Sequence, residues 1–402
     1  MCSKKRQIFL IGIGMGTELT LTEEAKKAIE EADVVIGAGR MAEPFEKMGK
    51  VCFYEYRPQE VRDYLYSHPQ YKKCALVLSG DTGFYSGAAK LAEVLEGEIT
   101  YIPGISSVVY LAAKLGTSWE DGKLMSLHGR QQNVVYAISH NRKTFLLMGK
   151  DSGEILCEKI KYYDLTNVVV HIGNRLSYED ERIISKKGDE VRPEDFSELS
   201  VVMVENPHPD SRICPHLKDE EFIRADGDKK VPMTKEEVRT VSIGKLMLTE
   251  NAVLYDVGAG TGSVSIEAAG MAEGIRVYAI EKNPDACALI RKNRQKFRTD
   301  QVEIIEGKAP DVLRDLELPT HVFIGGSAGK LKEIIRCVKE KNPKARLVIN
   351  AISLETLREV METLEEGLLL EPEIVQLTAA KSRKLGSYHM MTGQNPIYIV
   401  SE

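Results

Sequence analysis

Residues 253–265 read VLYDVGAGTGSVS, and this stretch decides how the second half of the chain is interpreted. Apolar and aromatic residues lead into Asp256, glycines follow at positions 258, 260 and 262, and small hydroxylated residues come next. A strand that ends in a glycine turn and continues into a helix usually holds a nucleotide-like cofactor. The stretch therefore predicts a cofactor-binding loop between a buried strand and a helix.

The spacing of these glycines selects among cofactors. In the dinucleotide pattern G-x-G-x-x-G, counting from Gly258 and Gly260, the third glycine would stand at position 263, which is serine. The observed pattern, D-x-G-x-G-x-G, resembles the class I S-adenosylmethionine (SAM) methyltransferases. Strand RVYAIE then ends in Glu281, which can accept hydrogen bonds from both ribose hydroxyls. In that fold the adenine lies at the end of the third strand, which IIEGKAP (304–310) closes here.

Composition excludes several classes of protein. The 402 residues suffice for two domains, and the formal net charge of −6 argues against a surface that attracts polyanions everywhere. The seven cysteines form no C-x-x-C pair, so we expect reduced thiols, no metal site and a cytoplasmic protein. No apolar run approaches the roughly 18 residues of a membrane span, so we expect no membrane association.

The order of elements predicts an α/β fold in both halves. Apolar runs such as QIFLIG and VLYDVG alternate with helical patterns, and Thr22 is placed to cap the first helix. The proline-rich stretch NPHPDSRICP interrupts this alternation. We therefore predict a first domain at 1–206, a linker at 207–230 and a second domain at 231–402. The second domain should form a parallel sheet with an antiparallel pair at its edge, because no long helix separates its last two strands.

The first half carries glycine turns of another kind. LIGIGMGTELTLT, LSGDTGFYSG and IPGISSVVY each follow a predicted strand, and no acidic residue closes the strand DVVIGAGR that would serve a dinucleotide site. Together these turns resemble the tetrapyrrole methylases, a SAM-dependent family with two α/β lobes and a cleft between them. Met15 and Thr82 stand where that family commonly has proline, which should alter loop rigidity more than chemistry.

Further segments narrow the resemblance. SLHGR (126–130) is similar to members that methylate C-5 of a precorrin, and VPMTKEEVR (231–239) and FIGGSAGKLKEII (323–335) are similar to C-15 methylating, decarboxylating enzymes. The whole chain thus resembles the fused bifunctional precorrin methyltransferases of cobalamin biosynthesis. That resemblance implies methylation at C-5 and C-15 and loss of CO₂ from the C-12 acetate, a precorrin-6Y to precorrin-8 type step or its cobalt-precorrin equivalent. It also implies one SAM for each domain.

The candidate site residues follow from these patterns. No catalytic nucleophile, acid or base is predicted, because an electron-rich bridge carbon can attack the sulfonium methyl directly and alignment is the main task. Arginine and lysine should bind the substrate carboxylates, and the segment 379–389 adds Lys381, Arg383, Lys384 and His389. The candidate cofactor-binding residues are Gly12, Gly14, Gly16, Gly80, Asp81, Thr82, Ser106, Ser107, Thr234, Asp256, Gly258, Gly260, Thr261, Gly262, Glu281 and Ala309. The candidate substrate-binding residues are Arg40, His128, Arg130, Lys235 and Arg239.

Three other interpretations remain open at this point. An oxidoreductase with nicotinamide in both halves would bind NADH rather than SAM, and the glycine spacing disfavours it. An RNA methyltransferase would need a basic stripe with interleaved aromatics, and none is evident, so we expect no nucleic-acid partner. A SAM-sensing regulator would bind SAM without producing a methylated tetrapyrrole. We expect the chain to form a homo-oligomer.

Overall fold

The computed structural model describes residues 5–127, 133–212, 216–225 and 231–402. These residues group into two compact units, with the main boundary between His208 and Pro209. The short segments Asn133–His140 and Tyr162–Asp164 group with the second unit. Both units combine helices with sheets, so the predicted α/β fold is confirmed.

The first unit begins with a five-stranded sheet in the order β3-β2-β4-β1-β5, and every neighbouring pair is parallel. Its strands are buried on both faces, because α1 and α2 pack on one face and α3 and α4 on the other. Thr22 caps α1 as predicted, accepting a hydrogen bond from the Ala25 amide at 3.2 Å. The elements are β1 (Gln7–Gly12), α1 (Glu23–Glu31), β2 (Val34–Gly37), α2 (Gly39–Glu46), β3 (Cys52–Tyr54), α3 (Pro58–Ser67), β4 (Lys73–Leu78), α4 (Ala88–Val94) and β5 (Glu98–Ile102).

A second five-stranded sheet follows in the order β6-β7-β10-β8-β9, and only its β6–β7 pair is parallel. Two of the unit's strands, β3 and β9, were not predicted, because β3 has only three residues and β9 is rich in charged residues. The elements are α5 (Ser107–Lys114), β6 (Lys123–Ser126), α6 (Val134–His140), β7 (Lys143–Leu147), α7 (Ser152–Tyr162), β8 (Val169–Asn174), β9 (Arg182–Lys187) and β10 (Ser200–Glu205).

The second unit contains a seven-stranded sheet in the order β13-β12-β11-β14-β15-β19-β16. Strand β19 is antiparallel to both neighbours, so the predicted antiparallel pair at the edge is present. A separate hairpin, β17–β18, intervenes between β16 and β19 and was not predicted as strands. The elements are α8 (Glu236–Leu246), β11 (Val253–Val257), α9 (Ser263–Ala269), β12 (Arg276–Glu281), α10 (Pro284–Lys296), β13 (Val302–Glu306), β14 (His321–Ile324), α11 (Leu331–Lys341), β15 (Arg346–Ala351), α12 (Leu354–Glu365), β16 (Glu373–Leu377), β17 (Ala380–Leu385), β18 (Tyr388–Gly393) and β19 (Ile397–Ser401).

Alternate residues of the central strand β11 enter two different cores. Leu254 packs with residues of α8, α9 and α10, whereas Tyr255 packs with residues of α11 and α12. The sheet is therefore covered on both faces, and a ligand can reach it at the carboxyl ends of the parallel strands. None of the helices in the described ranges is long and apolar enough to cross a membrane.

Part of the segment interpreted as a linker belongs to the second unit. Leu217 and Phe222 are buried in its core, and the Ile223 amide donates a 2.8 Å hydrogen bond to the Asn293 side chain. Two apolar residues five positions apart give no periodic pattern, which is why the sequence did not reveal this packing. The described residues 216–225 therefore extend the second unit toward the N-terminus.

Candidate active sites

The glycine loop after β11 adopts the backbone conformations that glycine favours. Gly258, Gly260 and Gly262 have φ angles of +75°, +58° and +78°, and α9 begins directly after Gly262. A Cβ atom at Gly260 would lie 2.3 Å from the carbonyl oxygen of Pro232. A Cβ atom at Gly258 would lie 2.7 Å from the carbonyl oxygen of Gly326. Glycine is thus required at positions 258 and 260 because other parts of the protein backbone lie too close for a Cβ atom, whether or not a ligand is bound.

Glu281 lies at the end of β12, beside this loop. Its Oε2 accepts a 2.9 Å hydrogen bond from the Gly260 amide, and its Oε1 accepts one of the same length from the Asn283 amide. Only 9% of the residue is exposed. Backbone amides therefore hold the carboxylate in a defined orientation beside the glycine loop.

Asp256 lies behind the loop and is almost fully buried. Its Oδ2 accepts hydrogen bonds from the Ser265 amide at 3.0 Å and the Ser265 hydroxyl at 2.5 Å. Its Oδ1 has no partner among the described residues. Burial, reinforced by the charge of Glu281, raises the pKa of Asp256 to about 7 against the opposing hydrogen bonds from Ser265. Asp256 does not line the cavity described next, so its contacts hold the start of α9 against the end of β11.

A cavity of about 470 Å³, here called cavity B, opens at the carboxyl edge of the second unit's sheet. Gly258, Gly260, Glu281 and Ala309 line it, and all four were predicted to bind the cofactor. The same lining includes residues that sequence reasoning missed, namely Lys282, Asn283, Gly307, Lys308, Gly325, Gly326, Ser327, Ala328 and Lys330. Most of them directly follow a parallel strand, which is the signal that could have identified them.

Four predicted cofactor-binding residues of this unit do not line cavity B: Asp256, described above, and Thr234, Thr261 and Gly262. Thr261 is buried, and its carbonyl accepts a 2.9 Å hydrogen bond from the Asn293 side chain. Gly262 packs toward the side chain of Ile290. Thr234 precedes α8, whose N-cap residue is Lys235, and no side-chain hydrogen bond caps this helix.

Arg239 and Lys235, predicted to bind substrate, face another part of the second unit. The Arg239 side chain is fully buried, and its Nε donates to Glu267 Oε2 at 2.6 Å. Its Nη1 donates to Asp219 Oδ1 at 3.2 Å, its Nη2 donates to the Leu217 carbonyl, and its guanidinium lies over the Phe222 ring. Lys235 Nζ lies 3.7 Å from Asp219 Oδ2. Because the guanidinium of Arg239 is buried and hydrogen-bonded to protein groups, Arg239 is not placed to bind a substrate carboxylate.

The basic segment 379–389 forms most of the hairpin β17–β18. Lys381 Nζ lies 2.8 Å from Glu237 Oε1 and 3.1 Å from Glu236 Oε2. These two carboxylates raise the pKa of Lys381 above its usual value. Lys381 therefore ties the hairpin to the start of α8.

In the first unit, the three predicted glycine turns interlock. Gly14 and Gly80 form an antiparallel bridge, with amide-to-carbonyl distances of 3.2 and 2.6 Å. A Cβ atom at Gly104 would lie 2.3 Å from the Gly80 carbonyl oxygen and 2.5 Å from that of Gly12. The turns after β1, β4 and β5 therefore meet backbone to backbone, which only glycine permits.

Asp81 and Ser106 stabilise this arrangement. Asp81 Oδ2 accepts from the Gly104 amide at 3.1 Å, and its Oδ1 accepts from the Gly83 amide at 2.8 Å. The Ser106 hydroxyl caps α5 by accepting from the Val109 amide at 3.3 Å. Both predicted side chains thus hold the loops in place, and neither lines the adjacent cavity.

That cavity, here called cavity A, has a volume of about 410 Å³. Of the predicted residues, Ser107 and Arg40 line it. Arg40 Nη1 donates to the Tyr178 hydroxyl at 3.1 Å, and that hydroxyl donates to the Met15 carbonyl at 2.8 Å. The lining residues missed from the sequence include Ser126, Met148, Gly149, Lys150, Arg175, Tyr178 and Ser200.

The remaining predicted residues of the first half have other positions. Gly16 lines a neighbouring groove of about 830 Å³, to which Arg40 and Tyr178 also contribute. Thr82 accepts a hydrogen bond from the Ser86 hydroxyl through its carbonyl oxygen. His128 and Arg130 lie outside the described residues.

Comparison with known proteins accounts for both halves of the chain. A family model described as "Tetrapyrrole (Corrin/Porphyrin) Methylases" matches residues 7–192, and one described as "Precorrin methyltransferase domain" matches residues 224–401. A probable cobalt-precorrin-6B C(15)-methyltransferase (decarboxylating) from Pyrobaculum calidifontis is 43% identical over 189 residues, which are 46% of this chain and 95% of that protein. The chain belongs to the precorrin methyltransferase family.

Other relatives carry matching names. The Sulfolobus acidocaldarius protein of the same name is 44% identical over 191 residues, covering 46% of this chain and 96% of its own length. The crystal structure of a precorrin-6Y C5,15-methyltransferase from Geobacter metallireducens is 39% identical, with a TM-score of 0.43, and covers 46% of this chain and 94% of that one. The combination of a tetrapyrrole methylase domain and a precorrin methyltransferase domain confirms the family resemblance inferred from the motifs. These relatives give no support to an RNA methyltransferase.

Proposed function

We propose that this protein methylates C-5 and C-15 of a precorrin or cobalt-precorrin and releases the C-12 acetate carboxyl group as CO₂. The second domain would carry out the C-15 methylation and decarboxylation, and the first domain the C-5 methylation. The observation that carries the proposal is cavity B, in which a glycine loop and an oriented Glu281 meet in a domain 43% identical to a C(15)-methyltransferase. The proposed domains keep the boundaries predicted from the motifs, 1–206 and 231–402, except that residues 216–225 join the second domain.

The residues of cavity B suit SAM. Glu281 presents carboxylate oxygens whose remaining lone pairs can accept from ribose hydroxyls, whereas Asp256 is buried behind the glycine loop and lies outside the cavity lining. When bound, SAM supplies an electrophilic methyl group on a sulfonium centre. The chain's own part is to fix the donor beside the acceptor and to keep water out, which can lower the barrier by several kcal/mol.

The first domain would hold a second SAM in cavity A. The interlocked glycine turns give this cavity a rigid wall, and Ser107 lies at the start of α5 inside it. Arg40, Lys150 and Arg175 also line it, against one carboxylate, Glu198. This excess of positive charge favours an acceptor that carries several carboxylates.

Turnover by the full-length protein tests the proposal. Incubation with SAM and either a metal-free or a cobalt-containing substrate should give a product that has gained two methyl groups and lost one CO₂, measured by mass spectrometry. Calorimetry should find two SAM sites per chain. NADH binding without SAM binding would indicate an oxidoreductase instead, and SAM binding without any methylated tetrapyrrole would indicate a regulator.

Single-site variants should separate the two reactions. Ser107→Leu would fill part of cavity A and should remove C-5 methylation while leaving C-15 methylation and CO₂ release intact. Gly260→Val, at cavity B, should do the opposite. Loss of both reactions in a folded single variant would contradict the assignment of one donor site to each domain.

A homo-oligomer and a cytoplasmic location complete the proposal. Hairpin β17–β18 exposes Leu385, Tyr388, Met390 and Met391, and Tyr388 is 75% exposed. Contact with a second copy would bury these exposed apolar side chains, which favours association. The five described cysteines are free thiols, which suits a reducing compartment.

A further inference from the structure

Three lysines surround cavity B. Lys282, Lys308 and Lys330 line it and are exposed, and in the described part of the chain none of their side chains has a hydrogen-bond or ion-pair partner. Glu281 is the one acidic residue in the lining, so three ammonium groups stand against one carboxylate. The opening of the cavity is therefore strongly positive in a protein whose net charge is −6.

Other lysines of the same unit are paired. Lys245 lies 2.5 Å from Glu373, and Lys339 lies 2.6 Å from Glu402. Lys332 contacts two carboxylates at 2.7 and 2.8 Å. Cavity B is therefore distinguished by three unpaired ammonium groups that line one cavity. They offer donors to a ligand, since an ammonium group has three donors and no acceptor.

The sheet topology spreads these lysines widely. Lys282 follows β12 directly, Lys308 lies two residues after β13, and Lys330 is the N-cap residue of α11 in the connection after β14. In the order β13-β12-β11-β14, two lysines therefore stand on one side of the glycine loop and one on the other. Three strand spacings of about 4.8 Å separate β13 from β14, or about 14 Å in total. A ligand that contacts all three must be broad and must carry several anionic groups.

We propose that Lys282, Lys308 and Lys330 form a carboxylate-binding rim that positions a broad polycarboxylate macrocycle over cavity B. This inference rests on the proposed function, because a tetrapyrrole with peripheral carboxylates is the ligand of that shape and charge. The rim positions the acceptor; the donor is held by the glycine loop and Glu281. Its role differs from that expected for Arg239, whose charge is already neutralised inside the protein.

Lysine footprinting of the full-length protein tests the rim without turnover. The probe is uroporphyrin III, a planar tetrapyrrole with eight carboxylates, and the readout is acetylation of each lysine by mass spectrometry. Lys282, Lys308 and Lys330 should react severalfold more slowly with the probe bound, and added salt should reverse the protection. Lys292 and Lys344, exposed lysines of the same unit outside the cavity, should not change.

Paired variants supply the kinetic test. K308M/K330M should raise the KM for the acceptor in the C-15 reaction about 2- to 25-fold, because each exposed ion pair contributes about 0.2–1 kcal/mol. It should leave the Kd for SAM unchanged. K292M/K344M removes the same charge elsewhere and should leave both constants unchanged.

The outcomes separate the rim from the proposed reaction. Protected lysines in a protein that transfers no methyl group would support the rim and contradict the reaction. An active enzyme whose three lysines stay unprotected, or whose K308M/K330M variant loses SAM affinity rather than acceptor affinity, would refute the rim alone.

Discussion

Replacing Arg239 by methionine should destabilise the second unit strongly. The substitution keeps much of the apolar stem and removes a guanidinium that contacts Glu267 at 2.6 Å and Asp219 at 3.2 Å. Glu267 is 3% exposed and Asp219 is 5% exposed, so both carboxylates would remain buried without a cation. Breaking a buried ion pair in this way costs about 3–5 kcal/mol.

The corresponding change in melting temperature is large. For a unit of this size, each kcal/mol lowers Tm by about 2–4 °C, so Arg239→Met should lower it by roughly 6–20 °C. Circular dichroism at 222 nm gives the unfolding curve, and hydrogen exchange of peptides from α8 assigns the loss to this unit. Adding Glu267→Gln should recover part of the stability, because it removes one of the unpaired buried charges.

A matched control uses Lys235, whose Nζ lies 3.7 Å from the same Asp219 and whose side chain is 46% exposed. Lys235→Met should cost less than about 1 kcal/mol. If Arg239→Met instead kept its Tm within about 2 °C and only raised the KM for the acceptor, Arg239 would bind substrate and the buried network would be refuted.

Three other perturbations address the loop, the buried carboxyl and the hairpin. Gly260→Ala should weaken SAM binding at least tenfold in calorimetry, because its Cβ would lie 2.3 Å from a carbonyl oxygen. The control Gly386→Ala has a similar positive φ but open space around it and should leave SAM affinity unchanged. Equal SAM affinities of the two variants would refute the steric argument. Because burial raises the pKa of Asp256 to about 7, its proton stabilises the fold fully below about pH 4, and this contribution is lost as the pH rises to 7. Between pH 5 and pH 8 the free energy of unfolding of the wild type should fall by about 2–3 kcal/mol more than that of Asp256→Asn, as measured by urea titration. If the free energy of unfolding changed equally with pH in both proteins, the raised pKa would be contradicted. Tyr388→Lys combined with Met391→Lys should reduce the mass measured by light scattering, and an unchanged mass would remove the hairpin from the interface.

Local features of the sequence predicted much of cavity B. Asp256, the glycines and Glu281 lie within 26 positions of one another, at the ends of two strands whose apolar runs are evident. Parallel strands must bring their carboxyl ends to one edge of the sheet, so residues at the predicted strand ends were expected to lie close together. The same logic located the three turns of the first unit, but it did not show that they pack on one another rather than on a ligand.

The charged residues were harder to place. Arg239 lies in a family-like segment and was expected to meet substrate, yet Asp219 and Glu267 bury it from positions 20 and 28 residues away. Lys308 and Lys330 lie in the segments IIEGKAP and FIGGSAGKLKEII but were not named as candidates, yet both line cavity B. The sequence alone thus identified basic residues without separating those that stabilise the fold from those that face the cavity.

The amino-acid sequence by itself determined the α/β alternation, the two unlike glycine turns and the acids at the ends of β11 and β12. These features are local, because strand propensity, positive φ at glycine and the position of a residue after a strand depend on a few neighbours. Only the tertiary structure decided which cations are neutralised and which remain free. That outcome depends on burial and on carboxylates that are distant in the chain, and it therefore appears only when the chain has folded.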